Sequence, residues 1–147
     1  MAQTLSQETV RVILDRLLPP KRRPRWDEYF MGIAEAVATR ADCSRRQIGA
    51  VIVKDNRIVS TGYNGAPAGK AGCLEGACPR ARSDVEPGSQ YETGAGECIA
   101  IHAEANALLY TSRDKCEGAT IYITCQPCTW CAKLINGAGI KRIVWET

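Results

Sequence analysis

A chain of 147 residues, 45% hydrophobic and 24% charged with no low-complexity tract or repeat, has the length and composition of one ordinary globular domain with a real core. Its net charge of +3 is too small to imply a nucleic-acid partner by itself, and no segment has the length and unbroken apolar character of a membrane span. The polar start, Met1 to Gln7, lacks the apolar stretch of a secretory signal, so the chain is expected in the cytoplasm, where eight cysteines serve as metal ligands and buried thiols rather than disulfides.

Val10, Ile13, Leu14, Leu17 and Leu18 recur at helical spacing, which predicts an amphipathic helix over about 6–18. Pro19-Pro20 ends it, and the basic run Lys21-Arg22-Arg23-Pro24-Arg25 reads as a solvated linker. A second helix is expected from Trp26 to about Arg40, with Tyr29, Phe30, Ile33 and Val37 on its apolar face. Residues 1–25 therefore form an N-terminal helix and linker, and 26–147 the functional domain. The β-branched run 48–53, the turn signal Asp55-Asn56 and the alternating run 57–63 predict a hairpin. From Asn64 to Gly96 the chain has no convincing period, and a loop that long inside a domain is functional or held by something else. Residues 97–112 read as a helix with its lead-in, Ala105, Leu108 and Leu109 facing the core. A strand over 119–124, a helix over 128–138 and a strand over 140–145 complete a parallel crossover unit. The fold class is α/β and layered.

The chemistry concentrates in His102-Ala103-Glu104 and Pro127-Cys128-Thr129-Trp130-Cys131, and His102 is the only histidine. One imidazole and two thiols supply three zinc ligands and leave a fourth tetrahedral position for water. Both segments fall at helix starts, where partial positive charge favours thiolates. Zinc makes water a nucleophile near neutral pH. Glu104, two residues from the ligand, is placed to move that water's proton to a ring nitrogen and a leaving amine, as the glutamate of zinc deaminases does. The alternative is a structural zinc knuckle with Glu104 merely solvated.

Beyond these motifs, Cys43-Ser44-Arg45-Arg46-Gln47-Ile48-Gly49-Ala50-Val51, Ser60-Thr61-Gly62-Tyr63-Asn64-Gly65-Ala66-Pro67, Gly118-Ala119-Thr120-Ile121-Tyr122 and Gly139-Ile140-Lys141-Arg142-Ile143 resemble segments of the deoxycytidylate (dCMP) deaminases. The zinc motif alone marks the broad superfamily, and the GYNG segment narrows it to the dCMP group. The resemblance covers most of residues 43–145. It implies a three-layer α/β/α cytidine-deaminase-like fold with a mixed sheet, a homo-oligomer that is usually a hexamer, and hydrolysis of dCMP to dUMP and ammonia for thymidylate synthesis. It also implies substrate contacts at Asn64 and Ala103, with Arg45 or Arg46 for the 5′-phosphate because a guanidinium suits bidentate phosphate binding. Larger members bind dCTP as activator and dTTP as inhibitor near the GYNG loop, which makes Gly65 and Gly69 candidate effector contacts.

Some dCMP deaminases carry a structural zinc near the long loop, and here Cys43, Cys73, Cys78 and Cys98 are candidates for a closed all-thiolate site that clamps it. Cys116 and Cys125 are expected to be spare packing thiols. The sequence departs from the family pattern at Cys125-Gln126, at Trp145, in the helix before Trp26, and in ending where relatives continue, so a terminal strand is expected to be missing. The rival activities are deamination of another small cytosine nucleoside or nucleotide, and nucleotide sensing by a catalytically silent zinc protein.

Overall fold

In the computed structural model, residues 4–17 and 22–147 are described. Strand β1 (Gly49–Lys54) is buried almost throughout, which is why its sequence is one apolar run rather than an alternation. Asp55 and Asn56 both take positive φ, 51° and 58°, the turn geometry whose twist matches a tight hairpin and which Asp and Asn tolerate. The chain returns as β2 (Arg57–Tyr63), pairing antiparallel with β1 with a register shift between Ile52 and Val53. The other edge of β1 takes β3 (Thr120–Ile123) antiparallel, and β4 (Arg142–Trp145) lies parallel to β3. The order is β2-β1-β3-β4, a mixed sheet of four strands.

Alternate residues of the central strands feed two cores. Val51, Val53 and Tyr122 pack against Phe30 and Ala34 of one helix, Trp26–Ala38. Ala50, Ile52, Ile121 and Ile123 pack with Ala103, Ala107 and Ile135 from two others, Ala103–Leu109 and Thr129–Gly137. With Gln7–Leu17 as α1 and Arg113–Cys116 as the fourth helix, these are α1 to α5 in chain order. Two glycines set the spacing of the layers. A Cβ on Gly49 would lie 2.1 Å from the Ala34 carbonyl oxygen on α2, and one on Gly62 would lie 2.3 Å from both the Ala103 oxygen and the Ala107 nitrogen on α3. A polar clasp closes the α2 side: Arg142 donates to both Asp27 oxygens and the Tyr122 hydroxyl donates to Asp27 Oδ1 at 2.7 Å. The Arg142 guanidinium, then the Tyr122 phenol, hold the Asp27 carboxyl down at about 2.

Three helical expectations need correction. Tyr29 is 48% exposed, and the buried residues of α2 are Phe30, Ala34 and Ala38, the two alanines lying at the close approach to Gly49. Leu109 is 67% exposed and the buried face of α3 is Ala103, Glu104 and Ala107, the two alanines lying at the close approach to Gly62. Residues 97–102 are not helical: Ile101 pairs with Gly65 as an antiparallel bridge, so the helix starts only after His102. Helix α1 forms where its periodicity predicts but buries none of its residues; Leu18, Pro19-Pro20 and Lys21 lie outside the described residues. In the rest of the basic run, the Arg22 guanidinium donates to both oxygens of Glu28 at 2.9 Å, and the Arg25 N–H to Glu28 Oε2 at 3.0 Å.

The tight contact at β2 and α3 yields a direct expectation. Gly62→Ala forces backbone to move rather than a side chain, and should lower the unfolding free energy by about 3 kcal/mol. Chemical denaturation checks this, with Gly32→Ala, where a Cβ meets nothing within 4 Å, as the control.

Candidate active site

Two chain reversals deliver the chemistry to one place. Gly65 and Ile101 exchange backbone hydrogen bonds of 3.2 and 2.8 Å, pinning the residue before His102 beside the end of β2. His102 is the extended N-cap of α3 (φ −65°, ψ 153°), with Glu104 in the first turn. Ser60 Oγ donates to the Ala107 oxygen at 2.6 Å and Asn106 Nδ2 to the Tyr63 oxygen at 2.8 Å, so α3 is bolted to β2. From the end of β3 the chain runs through Pro127 to Cys128, which caps α5, its sulfur accepting the Cys131 N–H at 3.4 Å.

The His102 Nδ1 lies 3.4 Å from Cys131 Sγ and 3.6 Å from Cys128 Sγ, and all three donor atoms are within 4.8 Å of one another. Tetrahedral zinc, with bonds of about 2.0 Å to nitrogen and 2.3 Å to sulfur, separates N and S by roughly 3.6 Å. Donor type and spacing therefore suit Zn²⁺, with one coordination position left to a non-protein ligand. Glu104 is 3% exposed and faces the same cavity; its carboxylate takes part in none of the side-chain hydrogen bonds among the described residues.

Charge at the site is in conflict. Burial, then the neighbouring Glu104 and Cys128 charges, push the Cys131 thiol far above its ordinary range. Burial also pushes Cys128 up, but backbone N–H groups of Cys131 and Trp130 and the Tyr91 phenol outweigh it, so that thiol ionises more readily than usual. The Tyr91 phenol is itself pushed well up, by its hydrogen bond to Cys128 and then by burial. A dication among the three ligands relieves this conflict, which is the physical test that the donor set passes.

The cavity has a volume of about 450 Å³, within the range of small-ligand sites. Arg45 and Arg46 both border it, but their side chains differ. Arg45 donates to the carbonyls of Arg80 and Val85 at 3.3 and 2.9 Å, whereas the Arg46 guanidinium makes no side-chain hydrogen bond among the described residues. Asn64 is buried and bridges backbone, accepting the Ile48 N–H and donating to the Arg46 oxygen, each at 2.8 Å. Ala103 puts its methyl in the core and leaves a first-turn N–H free, as helix starts do. Gly65 spends its backbone in the bridge to Ile101, while Gly69 is exposed at φ +78°.

Cys43, Cys73, Cys78 and Cys98 border the same cavity, yet only His102, Cys128 and Cys131 form a three-donor group within 4.8 Å among the described residues. The four sulfurs nevertheless attract backbone donors. Arg45 and Arg46 N–H groups each reach Cys43 Sγ at 3.4 Å, and Ser44 N–H reaches Cys73 Sγ at 3.3 Å. Burial pushes Cys78 up, but N–H groups of Ile99, Ala81 and Arg80 bring it below its ordinary value; Cys98 is raised by burial and then by the Cys78 and Cys43 charges beside it. Among the lining residues that escaped the sequence reading as site residues are Arg80 and Tyr91. Tyr91, as the only Phe, Trp or Tyr between Tyr63 and Tyr110, carried a legible signal; Arg80 did not.

An α/β/α sandwich with a His/Cys/Cys group at two helix starts and a buried carboxylate beside it defines a zinc-dependent deaminase. The family profile described as the cytidine and deoxycytidylate deaminase zinc-binding region matches residues 24–147, and the chain belongs to that family. A deoxycytidylate deaminase of Mycobacterium phage D29 is 57% identical over 124 residues, covering 84% of this chain and 95% of that protein. Another from Schizosaccharomyces pombe is 42% identical over 134 residues, 90% of this chain but 40% of the yeast protein. The crystal structure of the dCMP deaminase from cyanophage S-TIM5 in complex with dCMP and dUMP is similar at TM-score 0.62 and 27% identity, covering 85% of this chain and 83% of that one.

Removing one donor tests the metal group. Cys131→Ala should lower zinc content, measured by atomic emission, by about one equivalent per chain. It should also remove the stabilisation that metal binding at this group gives the wild type, about 4 kcal/mol at free metal near 1,000 times Kd. Unchanged zinc content would contradict the ligand assignment.

Proposed function

We propose that the chain hydrolyses dCMP to dUMP and ammonia, with His102, Cys128 and Cys131 holding zinc and Glu104 carrying the proton. The carrying observation is the buried Glu104 carboxylate beside the three-donor group, in a cavity of about 450 Å³. Bound zinc supplies a water acidic enough to attack near neutral pH. Glu104 takes one proton from the attacking water at its carboxylate and gives it to the ring nitrogen, then carries the second proton, from the new hydroxyl on the ring carbon, to the amine that departs as ammonia. The Ala103 N–H is a ready donor to the base, and Asn64 fixes the segment that presents Arg46. Of the two neighbouring arginines, Arg46 is the phosphate partner, because Arg45 is already committed to carbonyl oxygens. The phage, yeast and cyanophage relatives named above support dCMP as the substrate.

The finer features rest on the family resemblance together with local chemistry. The four cavity-wall thiols Cys43, Cys73, Cys78 and Cys98 hold a second, structural zinc, supported by the backbone N–H groups aimed at their sulfurs. Two zinc equivalents per wild-type chain in the same metal measurement support it, and one equivalent overturns it. Residues 26–147 are the deaminase domain and 1–25 an appended helix and linker. The enzyme acts as a homo-oligomer, a hexamer as in relatives, in the cytoplasm, where thiols stay reduced. Regulation by dCTP and dTTP belongs to the Gly65–Gly69 loop, of which Gly69 is the accessible end. Among the described residues no helix is long and apolar enough to cross a membrane.

A substrate panel of dCMP, CMP, deoxycytidine and dCTP separates the readings. Turnover of dCMP should exceed that of deoxycytidine, and Arg46→Ala should remove most of that preference, about 1.5–3 kcal/mol for a charged hydrogen bond, while Arg45→Ala acts through loop stability. Preferred turnover of another member of the panel would make this a deaminase of a different cytosine compound; turnover of none would make it a sensor.

A further inference from the structure

We propose that Tyr91 is a positioning residue for the zinc ligands and that Arg80 builds the loop that delivers it. Arg80 is 8% exposed yet meets no carboxylate. Its guanidinium donates instead to the carbonyls of Gln90, Gly96, Glu86 and Ser89 and to the Ser89 hydroxyl, at 3.1–3.2 Å. A buried cation is tolerated only when its donors are satisfied, and here one residue satisfies them with most of the aperiodic segment 86–96. That segment has neither a helix nor a strand to hold it, so Arg80 takes the place of secondary structure. The Arg80 N–H to Glu97 oxygen bond at 3.0 Å and the Cys98 N–H to Tyr91 oxygen bond at 2.8 Å close the loop on itself.

What the loop presents is Tyr91. The Arg80 guanidinium lies 5.9 Å from the centre of the Tyr91 ring, and that ring lies 5.2 Å from the His102 ring, tilted by 42°. Cys128 lines the same cavity as the ring. A single side chain thus packs on one metal ligand beside another. Groups packed on ligands fix their orientation, and losing one costs tenfold or more in metal affinity. The arrangement also explains why so long a loop survives in a small domain: it is the wall that holds the metal group in register.

This inference rests on the zinc reading of His102, Cys128 and Cys131. The test uses full-length wild type, Tyr91→Leu, Tyr91→Phe and Arg80→Lys loaded with zinc, and follows zinc release to a chelator. Parallel samples substituted with cobalt(II) report the sulfur-to-metal charge-transfer band. Tyr91→Leu loses the ring, and its zinc should leave about ten- to a hundredfold faster, with a shifted band, whereas Tyr91→Phe keeps the ring and should recover most of that loss. In Arg80→Lys, amide exchange across 86–96 should accelerate while β1 stays protected, and zinc release should accelerate with it. A Tyr91→Leu protein with wild-type release and an unmoved band would overturn the proposal, as would an Arg80→Lys loop that exchanges at the wild-type rate. Wild type that takes up neither metal would instead overturn the zinc reading itself.

Discussion

Everything distinctive in this molecule follows from crowding three groups that can carry negative charge, Glu104, Cys128 and Cys131, around one imidazole in a poorly solvated cavity. Burial disfavours the charge of both thiols, and on Cys131 the neighbouring Glu104 and Cys128 charges add to it. A fold tolerates such a cluster only if it is rigidly held and compensated. The compensation begins with backbone N–H groups at the start of α5 and is completed by a divalent cation. The rigidity comes from the sheet.

That rigidity has a specific origin. With no Cβ at Gly62, α3 sits directly against β2, and its buried face is reduced to two alanines and the functional glutamate. Hydrogen bonds from Ser60 and Asn106 add direction to the contact. The bridge from Gly65 to Ile101 then fixes where the helix begins, and so where His102 points. On the opposite face Gly49 does the same for α2. His102, Glu104 and Cys128 lie at helix starts, where the sheet's geometry is inherited and the backbone donors are free.

The sequence made the sheet legible because β1 and β3 are uninterrupted β-branched runs and the Asp55-Asn56 turn has few alternatives. The grouping of His102, Cys128 and Cys131 was legible for a chemical reason: one histidine and a Pro-Cys-x-x-Cys helix start offer little else to do. Helix faces were misread where they matter most. Large residues such as Tyr29 and Leu109 carry the usual signal for burial, but the positions facing Gly49 and Gly62 went to alanines. Neighbouring arginines were indistinguishable in sequence, and only the carbonyls around Arg45 separate it from Arg46. The long loop was opaque because its organisation is one buried guanidinium reading backbone oxygens, which leaves no period. Helix α1 was foreseen and forms, but none of its own residues is buried.

The central claim is that one carboxylate does the proton work beside a metal group it does not help to hold. Glu104→Gln keeps the shape of the side chain and removes its basicity. Zinc content and deamination of dCMP, measured together on that variant, test the claim most directly. The account predicts wild-type zinc content with turnover reduced by about a thousandfold or more. Wild-type turnover in the same protein would contradict it.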